Sequence, residues 1–457
     1  MSRETKRQAF WFQVDDTEAI ARHLEKMEAK GWKLEAVDNW YYHFRRSGPA
    51  QVRYAVTYFP DASVFDPKLP EGQETYAGYC EAAGWELAAA YGPIQYFRST
   101  RADPTPIETD ESIKLDAVRR TMRKTYVLSY AAMLLIPLVY FPAFFAIYWR
   151  DPMDFFSSTS QILTLLMMVG IALFGIAMLL DYLVWVLRSK RSITRGGGCV
   201  KPHTRARLWG SGAVMTLCIL SLGNLIFQRN SEKIYYVLYI AVYGGMMLLA
   251  RWVLKKLKQR SENRSSVVAG YMCFGIAAVL VMALIVTFAL PPLMRAFQPP
   301  QEEYVYTNPN GGSITWTVYH DELPVTWEDL GVSVTPEDHC SYQADVQESC
   351  LAFSGKYQQQ VLNLDSKLGD LRYQVYRTSW RWLLERQWEN LLAKEADSPF
   401  PLEEISPAAW GADAVYKQRD LEGYYLRWPD MVMYIHFSDA VEQARLERLV
   451  LLLRERT

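Results

Sequence analysis

Histidines, cysteines and one acid inside an apolar run are the residues through which this chain could do metal, nucleophilic or proton chemistry. His320, Asp321 and Glu322 stand together, with His339 and His436 further on. None falls in a His-Glu-x-x-His or other ligating spacing, and charged neighbours of a histidine are common by chance in an acidic stretch. Cys340 and Cys350 are the one close cysteine pair. In an oxidising compartment they could close a disulfide, but two thiols are too few for a zinc site. Cys80, Cys199, Cys218 and Cys273 are scattered. There is no Gly-x-Ser-x-Gly, phosphate-binding glycine loop or kinase motif, and Gly196–Gly198 lacks the Lys-Ser/Thr that a phosphate loop needs. The sequence therefore nominates no catalytic residue, no metal ligand and no cofactor.

The elements that would carry any such groups are set by hydrophobicity. Five stretches, about 125–148, 162–186, 208–227, 234–254 and 267–290, have the roughly 20 apolar residues needed to cross a bilayer. Trp149, Trp185, Trp209, Tyr235 and Trp252 lie near their ends, as in interfacial belts. Asp181 is the one acid within a span, near the end of the second, two turns before Arg188. Its place favours snorkelling to the interface over a proton or substrate pathway. Charge is segregated: residues 1–124 carry 18 basic and 19 acidic side chains, 125–300 carry 17 and 5, and 301–457 carry 14 and 26. Seventeen lysines and arginines flank one set of span ends, against Arg150, Arg229, Lys233 and Arg295 at the other. The positive-inside rule then predicts a cytoplasmic N-terminus and an extracytoplasmic C-terminal domain in a multi-pass protein of the cell membrane. No cleavable signal segment is visible at the N-terminus. The expected domains are 1–100, a linker helix over 101–124, a membrane region over 125–298 and an outer domain over 299–457.

The first hundred residues contain an internal repeat. EAKGWKL at 28–34 returns as EAAGWEL at 81–87, and Phe44-Arg45 returns as Phe97-Arg98 at the same offset of 53. Each copy reads β-α-β-β: a strand over 9–14 or 52–59, a helix over 17–29 or 74–82, a glycine cap, then two strands. Two copies predict one antiparallel sheet with both helices on one face. Trp32, Trp85, Phe44 and Phe97 are expected in the core between helices and sheet. Nucleic-acid binding is disfavoured by the lack of excess positive charge in this domain.

The strings KRQAFWF, MEAKGWKLEAV, YYHFRR, YCEAAGWEL and IQYFRS, within residues 6–100, resemble the uncharacterised bacterial family labelled domain of unknown function 2812. The resemblance implies a membrane protein in a regulatory setting, since members are often encoded beside PadR-like transcriptional regulators. It supplies no catalytic residues.

The last 159 residues read as α+β: a turn at 308–312, a strand over 313–319, a capping box at Thr326–Asp329, a strand over 373–376, a helix over 379–392, two strands over 423–428 and 431–437, and a closing helix over 440–454. Their net charge of −12 favours cations, basic peptides or a basic partner. The sequence as a whole predicts a non-enzymatic membrane-spanning sensor or regulatory protein, with a protein partner in the cytoplasm and an unknown ligand or protein outside. The alternatives are an accessory subunit of a transport or envelope-assembly complex, and a membrane enzyme of unknown reaction.

Overall fold

The computed structural model describes residues 4–9, 16–38, 40–108, 110–201, 204–227, 233–289, 291–292, 302–307, 312–396 and 399–457. The chain divides into two units. One comprises Met1–Leu138, Met167–Ile219 and Glu232–Leu293; the other comprises Val139–Leu166, Leu220–Ser231 and Met294–Thr457.

In the first unit, β1 (Thr5–Ala9), α1 (Thr17–Ala29), β2 (Trp32–Val37) and β3 (Tyr41–Arg46) are followed by β4 (Arg53–Tyr58), α2 (Glu71–Ala82), β5 (Glu86–Tyr91) and β6 (Ile94–Ser99). Both quartets thread alike, with antiparallel orders β1-β3-β2 and β4-β6-β5. Asp16 caps α1 by accepting from the Ala19 amide at 3.2 Å. Gly31 and Gly84, 53 residues apart, take φ of +80° and +91° after α1 and α2, a conformation costly for any residue with a Cβ. The expected single sheet is two three-stranded sheets. The strands that face each other, β2 and β5, each carry a register shift, between Leu34 and Ala36 and between Leu87 and Ala89. A bulge twists an edge and interrupts a ladder, so these edges meet through the Lys33–Glu86 ion pair at 3.3 Å rather than through a described backbone ladder. The strand expected at 9–14 begins earlier, at Thr5, and residues 10–15 lie outside the described set.

The helical region comprises α3 (Glu111–Met122), a π-helical turn at Arg123–Val127, α4 (Leu128–Arg150), the short α5 (Pro152–Ser157), α6 (Thr159–Ile193), α7 (Thr204–Phe227), α8 (Lys233–Arg260) and α9 (Arg264–Leu284). Among the described residues, three helices are long and apolar enough to cross a membrane: Glu111–Arg150, Thr159–Ile193 and Arg264–Leu284. They are apolar on most sides, as lipid-facing helices are.

The C-terminal part of the second unit opens with a hairpin of β7 (Glu302–Thr307) and β8 (Ser313–Val318). Next come β9 (Cys340–Glu348), β10 (Phe353–Val361), β11 (Leu371–Arg377), α10 (Arg381–Ala396), β12 (Leu402–Ile405), β13 (Ala414–Gln418), β14 (Glu422–Arg427), β15 (Met431–Phe437) and α11 (Gln443–Arg456). The seven strands β9–β15 form one antiparallel sheet in the order β12-β13-β14-β15-β11-β10-β9. Strand periodicity divides its faces: Met431, Met433 and Ile435 join Leu446, Leu449 and Leu453 of α11 in one core, while Val432 joins Leu383, Leu384 and Trp388 of α10 in another. The Thr326–Asp329 capping contacts form, with Thr326 N–H donating to Asp329 at 3.0 Å, but they close a single turn that Gly331 ends at φ +76°. Of the turn expected at 308–312, residues 308–311 lie outside the described set.

Candidate functional site

The most elaborate polar and apolar construction in the second unit surrounds the short hairpin between α4 and α6. Pro152 pre-sets the first turn of α5. That turn points Met153 into the core beside Leu383, Leu384, Trp388 and Leu391 of α10, where it is 0% exposed. Its amide donates to Gln387 Oε1 at 3.4 Å. Asp154 accepts from Ser354 Oγ at 2.7 Å and pairs with Lys356, both on β10. Asp151 pairs with Lys394 at 2.8 Å, and Asn390 donates to the Trp149 carbonyl at 2.8 Å. The Arg386 guanidinium lies 3.9 Å from the Trp149 ring centre, a cation–π distance. Ser349 Oγ donates to the Phe156 carbonyl at 2.5 Å. The ends of α4 and α6 are thereby fastened to the C-terminal domain by a buried anchor, two ion pairs and capped carbonyls.

In the first unit, α3, which leads into α4, and the C-terminal half of α6 are built into the N-terminal core. Leu115, Val118 and Met122 of α3 and Trp185 of α6 are buried in one cluster with Tyr54, Tyr58 and Ile94. The segment expected as a linker is thus a packed part of this core. Trp185 Nε1 donates to the Val200 carbonyl at 2.7 Å, and the Val200 amide donates to Ser189 Oγ at 3.2 Å. The Cys199 amide donates to Glu111 at 3.0 Å, which holds the Glu111 carboxyl below its ordinary value. Lys201 reaches Glu18 of α1 at 2.9 Å. The loop after α6 is therefore tied to α6, α3 and α1 together.

Helices α8 and α9 meet the N-terminal domain differently. Arg251 lies 3.8 Å from Asp38, and Arg264 lies 3.8 Å from Asp66 and donates to the Asp61 carbonyl at 3.2 Å. Phe65 meets Tyr271 with ring centres 5.7 Å apart. Both arginines are about half exposed.

Asp181 on α6 pairs with Arg207 on α7, whose side chain is 4% exposed. Besides the snorkelling to the interface expected of Asp181, α7 thus brings a cation within its reach in an interhelical pair. A buried pair of this kind fixes register more than it stabilises.

The aromatics singled out in sequence lie as follows. Phe44 and Phe97 are buried at 1% and 0% exposure. Trp85 is buried and donates to the Thr105 carbonyl at 2.8 Å, whereas Trp32 is half-buried beneath Lys6. Across the two quartets, Glu28 of α1 is 1% exposed, accepts from Tyr54 Oη at 2.6 Å and pairs with Arg98 of β6 at 2.6 Å. Nothing in the sequence marked this triad, since Glu28 looks like any charged position of an amphipathic helix. The Cys340–Cys350 disulfide is corrected: both thiols are free. Cys340 opens the nine-residue β9 and Cys350 lies beyond its far end. An extended rise of ~3.3 Å per residue separates them far beyond the ~7 Å limit for a disulfide.

Burial pushes the Cys199 and Cys340 thiols up to about 11, so neither is an activated nucleophile. The His320 ring pairs with Glu302 at 2.8 Å while its backbone bridges to Tyr342, and His339 stacks on Tyr304 with centres 4.2 Å apart. His436, on the α10 face of the sheet, is held below its ordinary value by burial and then by Arg372. Among the described residues no three His, Cys, Asp or Glu side chains converge as metal ligands.

No curated protein and no solved structure matches the chain. Residues 16–130, which run from the cap of α1 through α3 into the first turn of α4, match the family described as a protein of unknown function (DUF2812), so the resemblance carried by the Gly-Trp and Phe-Arg strings holds for the N-terminal region.

Proposed function

We propose that this protein is a membrane-spanning regulatory device in which α4 and α6 carry a change at the C-terminal domain to the N-terminal domain. The observation that carries the reading is the hairpin: Met153 and Asp154 fix the α4–α6 connection to the C-terminal domain, while α3, which runs through the π-helical turn into α4, and α6 supply part of the N-terminal core. In this reading α7 and α8 join the three long apolar helices as spans, and the domain at each end of the relay faces its own compartment. The positive charge at one set of helix ends supports a cytoplasmic N-terminal domain. The paired quartets are a duplicated β-α-β-β unit that offers a partner-binding surface there. A protein regulator is the partner best supported, given the near-neutral charge of the domain and the regulatory context of the family it resembles.

The test is in-cell cross-linking of the N-terminal domain followed by mass spectrometry, comparing the full chain with Met153→Asp, which places a charge in the hairpin's apolar socket. A captured regulator whose yield changes with the hairpin variant is the expected result. Capture of transport or assembly subunits, indifferent to the variant, would move the reading to an accessory role.

A further inference from the structure

Phe144 and Tyr148 lie one helical turn apart on the last part of α4 and point toward α5. Phe155 and Phe156 of α5, Leu165 of α6 and Trp382 of α10 complete an open cleft of about 390 Å³ with them. That volume falls within the ~300–1,000 Å³ range of small-molecule pockets. The rings meet edge to face: Phe144 and Phe155 at 6.1 Å, Tyr148 and Phe156 at 5.9 Å, Phe156 and Trp382 at 5.8 Å. These edge-to-face contacts fix the rings' orientations around the opening. No charged side chain lines the cleft.

Depth and shape identify the occupant. At 1.5 Å per residue, Tyr148 and Phe144 lie about 3 and 9 Å below the end of α4 at Arg150. The cleft thus opens just under the interface, where lipid tails are the solvent. Helices that dock in a bilayer need small residues for close approach, and this lining is large aromatics and leucine, which suits a thin, flexible chain. We propose that the cleft seats an acyl chain of a bilayer phospholipid, and that Trp382 lets the C-terminal domain sense its occupancy. The proposal rests on the membrane-spanning regulatory reading and gives it an input: lipid composition or packing.

The experiment uses the full chain in nanodiscs containing a phosphatidylcholine with a diazirine midway along one acyl chain. Photolysis is followed by peptide mapping. Adducts should concentrate on residues 141–165 and on Trp382 relative to the exposed face of α9, around Ile276 and Leu280. Leu165→Trp should lower labelling at Trp382 about tenfold by filling the cleft, the equivalent of excluding one or two methylenes. Leu280→Trp, on an exposed helix face, should leave it unchanged. Equal labelling of the cleft and α9 in the unaltered protein would overturn the proposal, and that comparison stands even where Leu165→Trp fails to fold. A cleft-to-cleft cross-link between two copies, or labelling indifferent to a folded Leu165→Trp, would overturn it as well. Its failure would leave the coupling of α4 and α6 intact, because the in-cell cross-linking test of that reading uses no lipid probe.

Discussion

The helix pairs α4–α6 and α8–α9 are anchored in contrasting ways. The first pair is tied to domain cores: Leu115, Val118 and Met122 of α3, which leads into α4, and Trp185 in the C-terminal half of α6 join the N-terminal core, and Met153 of the hairpin joins the other. Among the described residues, the second pair reaches the N-terminal domain through half-exposed arginines and a ring contact, although Val267 of α9 is itself buried. Buried apolar side chains contribute roughly 2–5 kcal/mol each when truncation leaves a cavity, whereas exposed ion pairs contribute about 0–1 kcal/mol. On this scale the first pair is held more firmly than the described contacts hold the second. The relay proposed above would use both kinds of attachment.

The largest expected effect tests the firm attachment. Trp185→Ala removes a side chain 6% exposed and its bond to the Val200 carbonyl. A loss of about 4 kcal/mol is expected, read as faster hydrogen exchange across α3 and residues 194–201. Met153→Ala should weaken hairpin docking by about 3 kcal/mol, or about a hundredfold in exchange over 152–157, with α8 and α9 unchanged. If exchange in the hairpin barely moved, the buried anchor would not be what fastens it, and the contrast between the pairs would fail.

These attachments show what sequence made legible and what it did not. Periodicity placed α1 at its observed residues, and the strand over 431–437 likewise, because alternating apolar residues report a buried face directly. Strands β9 and β10 were missed: QADVQ and KYQQQ carry glutamines where one face of the sheet is polar, and polar alternation gives little hydrophobic signal. The hairpin was missed for another reason. Asp151, Met153 and Asp154 form an ordinary polar connection in sequence, and their partners Lys394, Leu383 and Lys356 lie more than 200 residues away. Asp181 was visible as an intramembrane acid, yet its partner Arg207 counted in sequence only as a flanking positive charge. Local patterns foretell elements; long-range polar pairing is set by topology.

A smaller effect separates the polar part of the hairpin from its anchor. Asp154→Asn keeps an acceptor for Ser354 but leaves Lys356 without its carboxylate. With both side chains partly exposed, the cost should be about 1–2 kcal/mol, read as a modest rise in exchange over 152–157. A loss as large as that of Met153→Ala would mean that charge, not burial, fastens the hairpin, which would make the two pairs alike.

The smallest effect probes the loose attachment. Arg264→Ala should cost less than about 1 kcal/mol, because Arg264 and Asp66 are 3.8 Å apart and the arginine is about half exposed. Salt should mimic it: at 1 M the Debye length falls to about 3 Å, so exchange over residues 60–68 and 264–271 should rise while the hairpin stays protected. Acid should act on the turn that carries Asp38. Burial pushes the Asp38 carboxyl up, but the His43 side chain and the Trp40 and Tyr41 amides outweigh it, and its titration lies below the ordinary 3.8. The stabilisation is thus complete above the ordinary value and lost as pH falls through the depressed one. Acidification across that window should loosen residues 38–43, and because the Cys199 amide holds Glu111 below its ordinary value as well, the loop after α6 should loosen in acid too, whereas salt should act on α8 and α9 alone. Simultaneous loosening of both pairs with salt would show that α8 and α9 share the firm core after all.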